Sequence, residues 1–172
     1  MQASVASGHM NDGHGLFDEV TGAYRPEVFS HLVEREVKRA LRYHEFLVIL
    51  ALDLGDSLRR LPDPPAVLRL VADHIQREVR ATDIVGRLGE NLGVALLCVT
   101  MEDARLVAER LQARVKAVAL PTEPLPAGQG VISIGGACFP RGGTDAAVLL
   151  RASLNALRRA AAEPGGGVWL ET

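Results

Sequence analysis

The sequence predicts an α/β (α+β) fold, a mixed and mostly five-stranded sheet flanked by helices. Three observations predict it. The near-continuous apolar run Phe46 to Leu54 (FLVILALDL) reads as a central strand buried on both faces. Two short strand-like runs around Gly89-Glu90-Asn91 read as an antiparallel hairpin, because glycine and asparagine suit a tight turn. Four amphipathic stretches alternate with the strands, so the hairpin sits inside an otherwise βαβ-like order.

The elements follow in sequence. Asp18 to Tyr24 is turn-rich, and Pro26 can open a helix because a proline in the first turn loses no hydrogen bond. Val28, Phe29, Leu32, Val33, Val37 and Leu41 keep helical spacing as far as about Tyr43. After the central strand, Gly55, Pro62, Pro64 and Pro65 interrupt regular structure. A helix from about Ala66 to Val79 carries Val67, Leu70, Val71 and Ile75 on one stripe. The hairpin strands are Asp83 to Leu88 and Gly93 to Val99, and a helix runs from about Glu102 to Ala119. A Pro/Gly loop, a strand from Val131 to Phe139, a helix from Asp145 to Ala162 and a short strand from Val168 to Leu170 complete the chain.

Composition bounds the function. The 172 residues suit one domain, expected over 16–172, after a small, polar tail at 1–15 whose Gly8-His9-Met10 has the look of a tag remnant. Hydrophobic residues make up 48% and aromatic residues 4%, so the core must be built from aliphatic side chains. A net charge of -2 argues against a general nucleic-acid binder, which needs a basic surface to displace phosphate counterions. Lys38 and Lys116 are the only lysines among the 19 basic residues, and arginine offers a planar fork suited to phosphates, carboxylates and guanine edges. Cys98 and Cys138 lie in apolar, strand-like runs, which suggests buried thiols rather than a disulfide. No run of about 18 apolar residues and no signal-peptide core occur, so a cytoplasmic setting without membrane insertion is expected. His9, His14, His31, His44 and His74 form no ligand-spaced cluster.

Four segments carry a family resemblance. Asp18-Glu19-Val20-Thr21-Gly22 resembles the D-x-L-T-G opening of the GGDEF domain of diguanylate cyclases, and Leu52-Asp53-Leu54 is similar to its first metal-binding strand. Asp83-Ile84-Val85-Gly86-Arg87-Leu88-Gly89 resembles the approach to the signature hairpin, and Val131-Ile132-Ser133-Ile134-Gly135 resembles the family's V-S-I-G strand. The resemblance spans roughly residues 18–170 and implies the nucleotidyl cyclase palm-like arrangement.

Joining two GTP molecules needs divalent metal, positioned phosphates and an activated hydroxyl, hence converging hard oxygen ligands. The resemblance assigns the first-strand acid to Asp53. The signature itself reads Gly89-Glu90-Asn91-Leu92-Gly93, with Asn91 in the place of the metal-binding acid, Leu92 in that of the next acid and Glu90 in that of the second glycine. A carboxylate at Glu90 repels a triphosphate. Gly55 replaces the second strand acid, the guanine-reading segment is shortened around Asp63-Pro64-Pro65, and the phosphate-holding lysine falls on Ala160. The expectation is a domain without cyclase activity, catalytic residues, metal or cofactor, in which Asp53 is a relic or a structural hydrogen-bonding carboxylate, the alternative being residual binding of one metal ion. A cyclase that uses Glu90 as a substitute acid is the least favoured alternative.

The family also carries an inhibitory product site, R-x-x-D, five residues before the signature. Arg80-Ala81-Thr82-Asp83 falls in that register before Gly89, whereas Arg60-Leu61-Pro62-Asp63 matches the pattern in a loop and has no assigned role. An arginine fork can donate to guanine O6 and N7, and a carboxylate can accept from N1 and N2. The resemblance therefore implies a cyclic-di-GMP receptor that uses Arg80 and Asp83. Arg87 could add a contact or simply pair with a neighbouring acid. Of Arg105, Arg110 and Arg114 on the following helix, the last two on one face, each reads first as part of a solvated helix face and second as a further ligand contact. Expected partners are an attached signalling domain or another protein, with a homodimer allowed. The alternative is an interaction module that uses no nucleotide.

Overall fold

The computed structural model describes residues 15–56, 61–117 and 132–171. Its elements run α1 (Pro26–Tyr43), β1 (Leu47–Asp53), α2 (Pro64–Glu78), β2 (Ile84–Leu88), β3 (Asn91–Leu97), α3 (Met101–Ala117), β4 (Ser133–Phe139), α4 (Ala146–Ala162) and β5 (Val168–Glu171). The expected tail, the loop around Arg60 and the stretch 118–131 lie outside the described residues. The five strands form one sheet in the order β2-β3-β1-β4-β5, antiparallel except for the parallel β4–β5 pair. This is the mixed, helix-flanked sheet expected from the sequence.

β1 holds the centre, with β3 and β4 on either side, and its residues 47–52 are all buried. Alternation along the strand sends Val48, Leu50 and Leu52 to one face, where α2 and α3 contribute Val67, Val71, Ile75, Ala108 and Leu111. Leu47 and Ile49 face the other way, against Phe29, Val33 and Val37 of α1 and Leu149 of α4. Asp53 ends the strand, half-buried, on this second face by the same alternation.

The helix boundaries have local causes. Pro26 occupies the first turn of α1, and His44 in the left-handed region (φ 56°) ends it. The Asp63 carboxylate accepts from the Ala66 amide and starts α2; Asp145 does the same for α4 through Val148. At α3, Thr100 and Asp103 cap each other: Asp103 accepts from the Thr100 amide and hydroxyl, and the Thr100 hydroxyl accepts from the Asp103 amide.

Two expectations about burial are corrected. Leu41 is 62% exposed, because the buried stripe of α1 runs through Phe29, Val33, Glu36, Val37 and Ala40. Glu36 is tolerated there because Arg39 Nε donates to it at 2.6 Å. Cys98 is exposed at the end of β3 with φ 54°, its thiol 3.4 Å from Glu45 Oε2; Cys138 is buried as expected.

Close approaches replace side-chain volume at two places. Phe29 lies over the cross-strand pair Gly86 and Gly93, where an added Cβ would come within 2.5 Å and 2.6 Å of its ring. Gly135 lets α4 sit directly on β4, since a Cβ there would overlap the backbone nitrogen of Leu157. A Gly135→Ala substitution must push the helix off the sheet. It is expected to cost about 3 kcal/mol or more, read as a lower urea midpoint with an unchanged m-value.

Candidate functional site

Two neighbouring concavities flank the β2–β3 hairpin. Gly89 and Glu90 form its two-residue turn, and Gly89 at φ 62° meets the single positive φ that a II′-type turn requires. Pairing of Leu52 with Leu92 brings Asp53 beside Asn91. These two residues line a cleft of about 370 Å3 together with Glu90 and with Leu154, Leu157, Arg158 and Ala161 of α4. On the other face, Leu92 joins Leu52, Leu54, Pro64, Pro65, Val67 and Leu68 around a largely apolar cleft of about 260 Å3.

The side chains at the signature define what this place offers. Asn91 presents a neutral amide and Leu92 an apolar surface turned into the second cleft. Gly93 has no side chain, and Phe29 fills the space above it. The expectation for the last helix is corrected by one position. Ala160 is fully buried toward the sheet, and Ala161 faces the cleft. A methyl group stands at the cleft wall in either case. Sequence reasoning missed Arg158, which lines the same cleft and donates to Asn155 Oδ1 at 2.6 Å. Its spacing to Leu154 and Ala161, i−4 and i+3, was the available signal. Among the described residues no group of three His, Cys, Asp or Glu side chains could hold a metal ion.

Arg80 and Asp83 are brought together in a separate groove of about 240 Å3, shared with Phe17, Tyr24, Gln76, Val79 and Val85. The Asp83 carboxylate is fixed by two amides, accepting from Arg80 N at 2.9 Å and Leu97 N at 3.1 Å. Each oxygen keeps a lone pair for an outside donor. The exposed Arg80 guanidinium makes no hydrogen bond or ion pair among the described residues. The Thr100 hydroxyl and amide lower the pKa of Asp103 below the ordinary carboxylate value, and the charge of Arg80 adds to that.

Other expected contributors lie elsewhere. Arg87 is not in this groove: it lines the 260 Å3 cleft, where its Nη2 donates to Gly89 O at 3.2 Å and its Nη1 is buried with no hydrogen-bond partner among the described residues. Arg110 and Arg114 converge on Glu78 at the end of α2, with Nε to carboxylate distances of 3.3 Å each. Arg110 also donates to the Glu78 carbonyl. Both arginines therefore tie α3 to α2 rather than reaching into the groove.

The D-x-L-T-G-like turn braces the hairpin. Asp18 Oδ1 accepts from the Thr21 amide at 2.9 Å and hydroxyl at 2.7 Å, and the Tyr24 backbone bridges the β2 edge through Val85 and Arg87. Burial alone would raise the pKa of Asp18, but the Thr21 hydrogen bonds and the nearby Arg87 charge outweigh it and hold the carboxyl below its ordinary value.

The family model for the diguanylate cyclase GGDEF domain matches residues 16–166. This chain belongs to the GGDEF family. The Pseudomonas aeruginosa diguanylate cyclase DgcP is 30% identical over 124 residues, 67% of this chain and 18% of that protein. The chain thus spans under a fifth of that relative's length. Two solved structures share the fold. The FimX GGDEF domain from Pseudomonas aeruginosa has a TM-score of 0.80 at 21% identity, over 92% of this chain and 100% of that one. The GGDEF domain of DgcB from Caulobacter crescentus, solved in complex with c-di-GMP, has 0.78 at 16%, over 91% and 96%. The domain is a member of the family of cyclic-di-GMP signalling, and among its described residues no helix is long and apolar enough to cross a membrane.

The depressed pKa of Asp18 carries a pH prediction. The folded form favours the ionised carboxyl, so its contribution is present above the ordinary value of 3.8 and is lost as pH falls through the lower folded pKa. Between pH 6 and pH 3, the urea midpoint should fall further in the wild type than in Asp18→Asn.

Proposed function

We propose that this GGDEF domain has lost the condensation of GTP and acts as a cyclic-di-GMP receptor through Arg80 and Asp83. The contrast between two neighbouring sites carries this reading. The hairpin turn sets a neutral amide and an aliphatic side chain beside Asp53. At the other end of the hairpin, a guanidinium without a hydrogen bond or ion pair among the described residues stands next to a carboxylate of fixed orientation.

Chemistry supports the loss. A metal that bridges triphosphate oxygens needs several hard anionic ligands, and Asn91 withdraws one of them. Glu90 places a charge of the wrong sign beside the phosphates, and Arg158 is the one cation lining the α4 cleft among the described residues. The donor set fits the family's metal poorly, and no step is assigned to one. Recognition of the finished dinucleotide needs no metal. Arg80 can donate to guanine O6 and N7 while Asp83 accepts from N1 and N2, a pairing that adenine cannot satisfy. The DgcB domain crystallised with c-di-GMP supports a ligand of this class for the fold. Bound ligand would be reported to an attached domain or a separate protein.

An interaction module without nucleotide is favoured by one observation. Leu41, Tyr43 and Phe46 are 62%, 59% and 50% exposed around the end of α1. Charge reversal at Arg80 would leave such binding unchanged.

Calorimetric titration with cyclic-di-GMP is expected to give micromolar or tighter binding, weakened at least tenfold in Arg80→Ala. Absence of binding by the wild type at high micromolar ligand would overturn the receptor. Incubation with GTP and magnesium should yield no cyclic-di-GMP by chromatography, and product would overturn the loss of catalysis.

A further inference from the structure

The groove that holds Arg80 and Asp83 has a wall that the R-x-x-D pattern does not account for. Phe17 and Tyr24 line it, their rings stacked with centroids 4.9 Å apart and planes 24° apart. Tyr24 covers one face of the Phe17 ring. Phe17 is nevertheless 52% exposed, so much of its surface stays open in a chain with few aromatic residues to spend.

The pair is held firmly for a segment ahead of the first helix. Tyr24 N donates to Val85 O at 3.0 Å and Arg87 N donates to Tyr24 O at 2.8 Å, which docks Tyr24 on the edge of β2. A backbone bridge joins Phe17 to Tyr24, and Asp18 N donates to Ala23 O at 2.7 Å. The Asp18–Thr21 turn closes the loop between them. An exposed ring held in this way loses little entropy when a second flat ring is laid on it.

We infer that Phe17, braced by Tyr24, is a stacking platform for a guanine base whose edge is read by Arg80 and Asp83. Hydrogen bonds to the base edge select guanine, and an aromatic face supplies affinity that is indifferent to base identity. All four side chains border the same groove, so one purine can meet both kinds of contact. Phe17 is thus a ligand-contacting residue of the proposed receptor site, with Tyr24 positioning it, and the inference rests on that reading.

The test titrates cyclic-di-GMP into the wild type, Phe17→Ala, Phe17→Leu, Phe17→Trp and Arg80→Ala. Phe17→Ala and Phe17→Leu should bind roughly 5- to 150-fold more weakly, since leucine restores apolar bulk but no π face. Phe17→Trp should restore binding, and its added indole emission should be quenched by ligand, while Trp169, on β5 at the opposite edge of the sheet, stays unaffected. Thermal melts that coincide with the wild type show that the variants are folded; should Phe17→Ala melt early, Phe17→Leu against Phe17→Trp decides. Loss of binding in Arg80→Ala with unchanged affinity in Phe17→Ala and Phe17→Leu overturns the platform and leaves the receptor standing. No binding by the wild type removes both.

Discussion

β1 has no solvent-facing side, and that constraint governs the rest of the domain. With Leu47 to Leu52 buried, each residue must find apolar partners above or below the sheet, worth about 1.5–3 kcal/mol for a large side chain. A one-residue slip would exchange the two faces and set leucines against the wrong helices. The register with β3 and β4 is therefore fixed, and with it the place where the strand ends. Asp53 emerges beside Asn91 because Leu52 must pair with Leu92.

From that register the hairpin follows, and from the hairpin both concavities. Phe29 seats α1 on Gly86 and Gly93, so the hairpin is clamped from one face while Leu92 and Val94 are packed from the other. The Asp18–Thr21 turn and the Tyr24 bridge then close the β2 edge, which would otherwise offer unpaired backbone groups. The same clamp that shapes the α4 cleft fixes Asp83 through the Leu97 amide at the other end of β3. Rigidity in the sheet is thereby shared by the α4 cleft and by the groove that holds Arg80 and Asp83.

Charge is distributed in keeping with this. Among the arginines near the groove, Arg110 and Arg114 share the single carboxylate of Glu78, and Arg87 donates to Gly89 O in the neighbouring cleft. Arg80 keeps its donors outward, beside a carboxylate whose two oxygens are already oriented by amides. Such preorganisation would lower the cost of ordering in the proposed binding of a ligand.

The sequence by itself determined the element order, the central strand and the hairpin. Those features rest on local periodicity and turn chemistry, which residues such as Gly89 and Pro26 carry alone. It also determined which side chains occupy the signature, because identity at Asn91 and Leu92 needs no coordinates. Only the tertiary structure decided where the arginines point, that Ala161 rather than Ala160 faces the cleft, and that Cys98 and Leu41 are exposed. It alone brought Phe17 and Tyr24 to Arg80, more than fifty residues away in the chain. Spacing along one element cannot settle such matters, because the orientation of a long side chain is set by partners from other elements. Glu78 draws in Arg110 and Arg114 across more than thirty residues of chain, and no pattern within either helix reveals it.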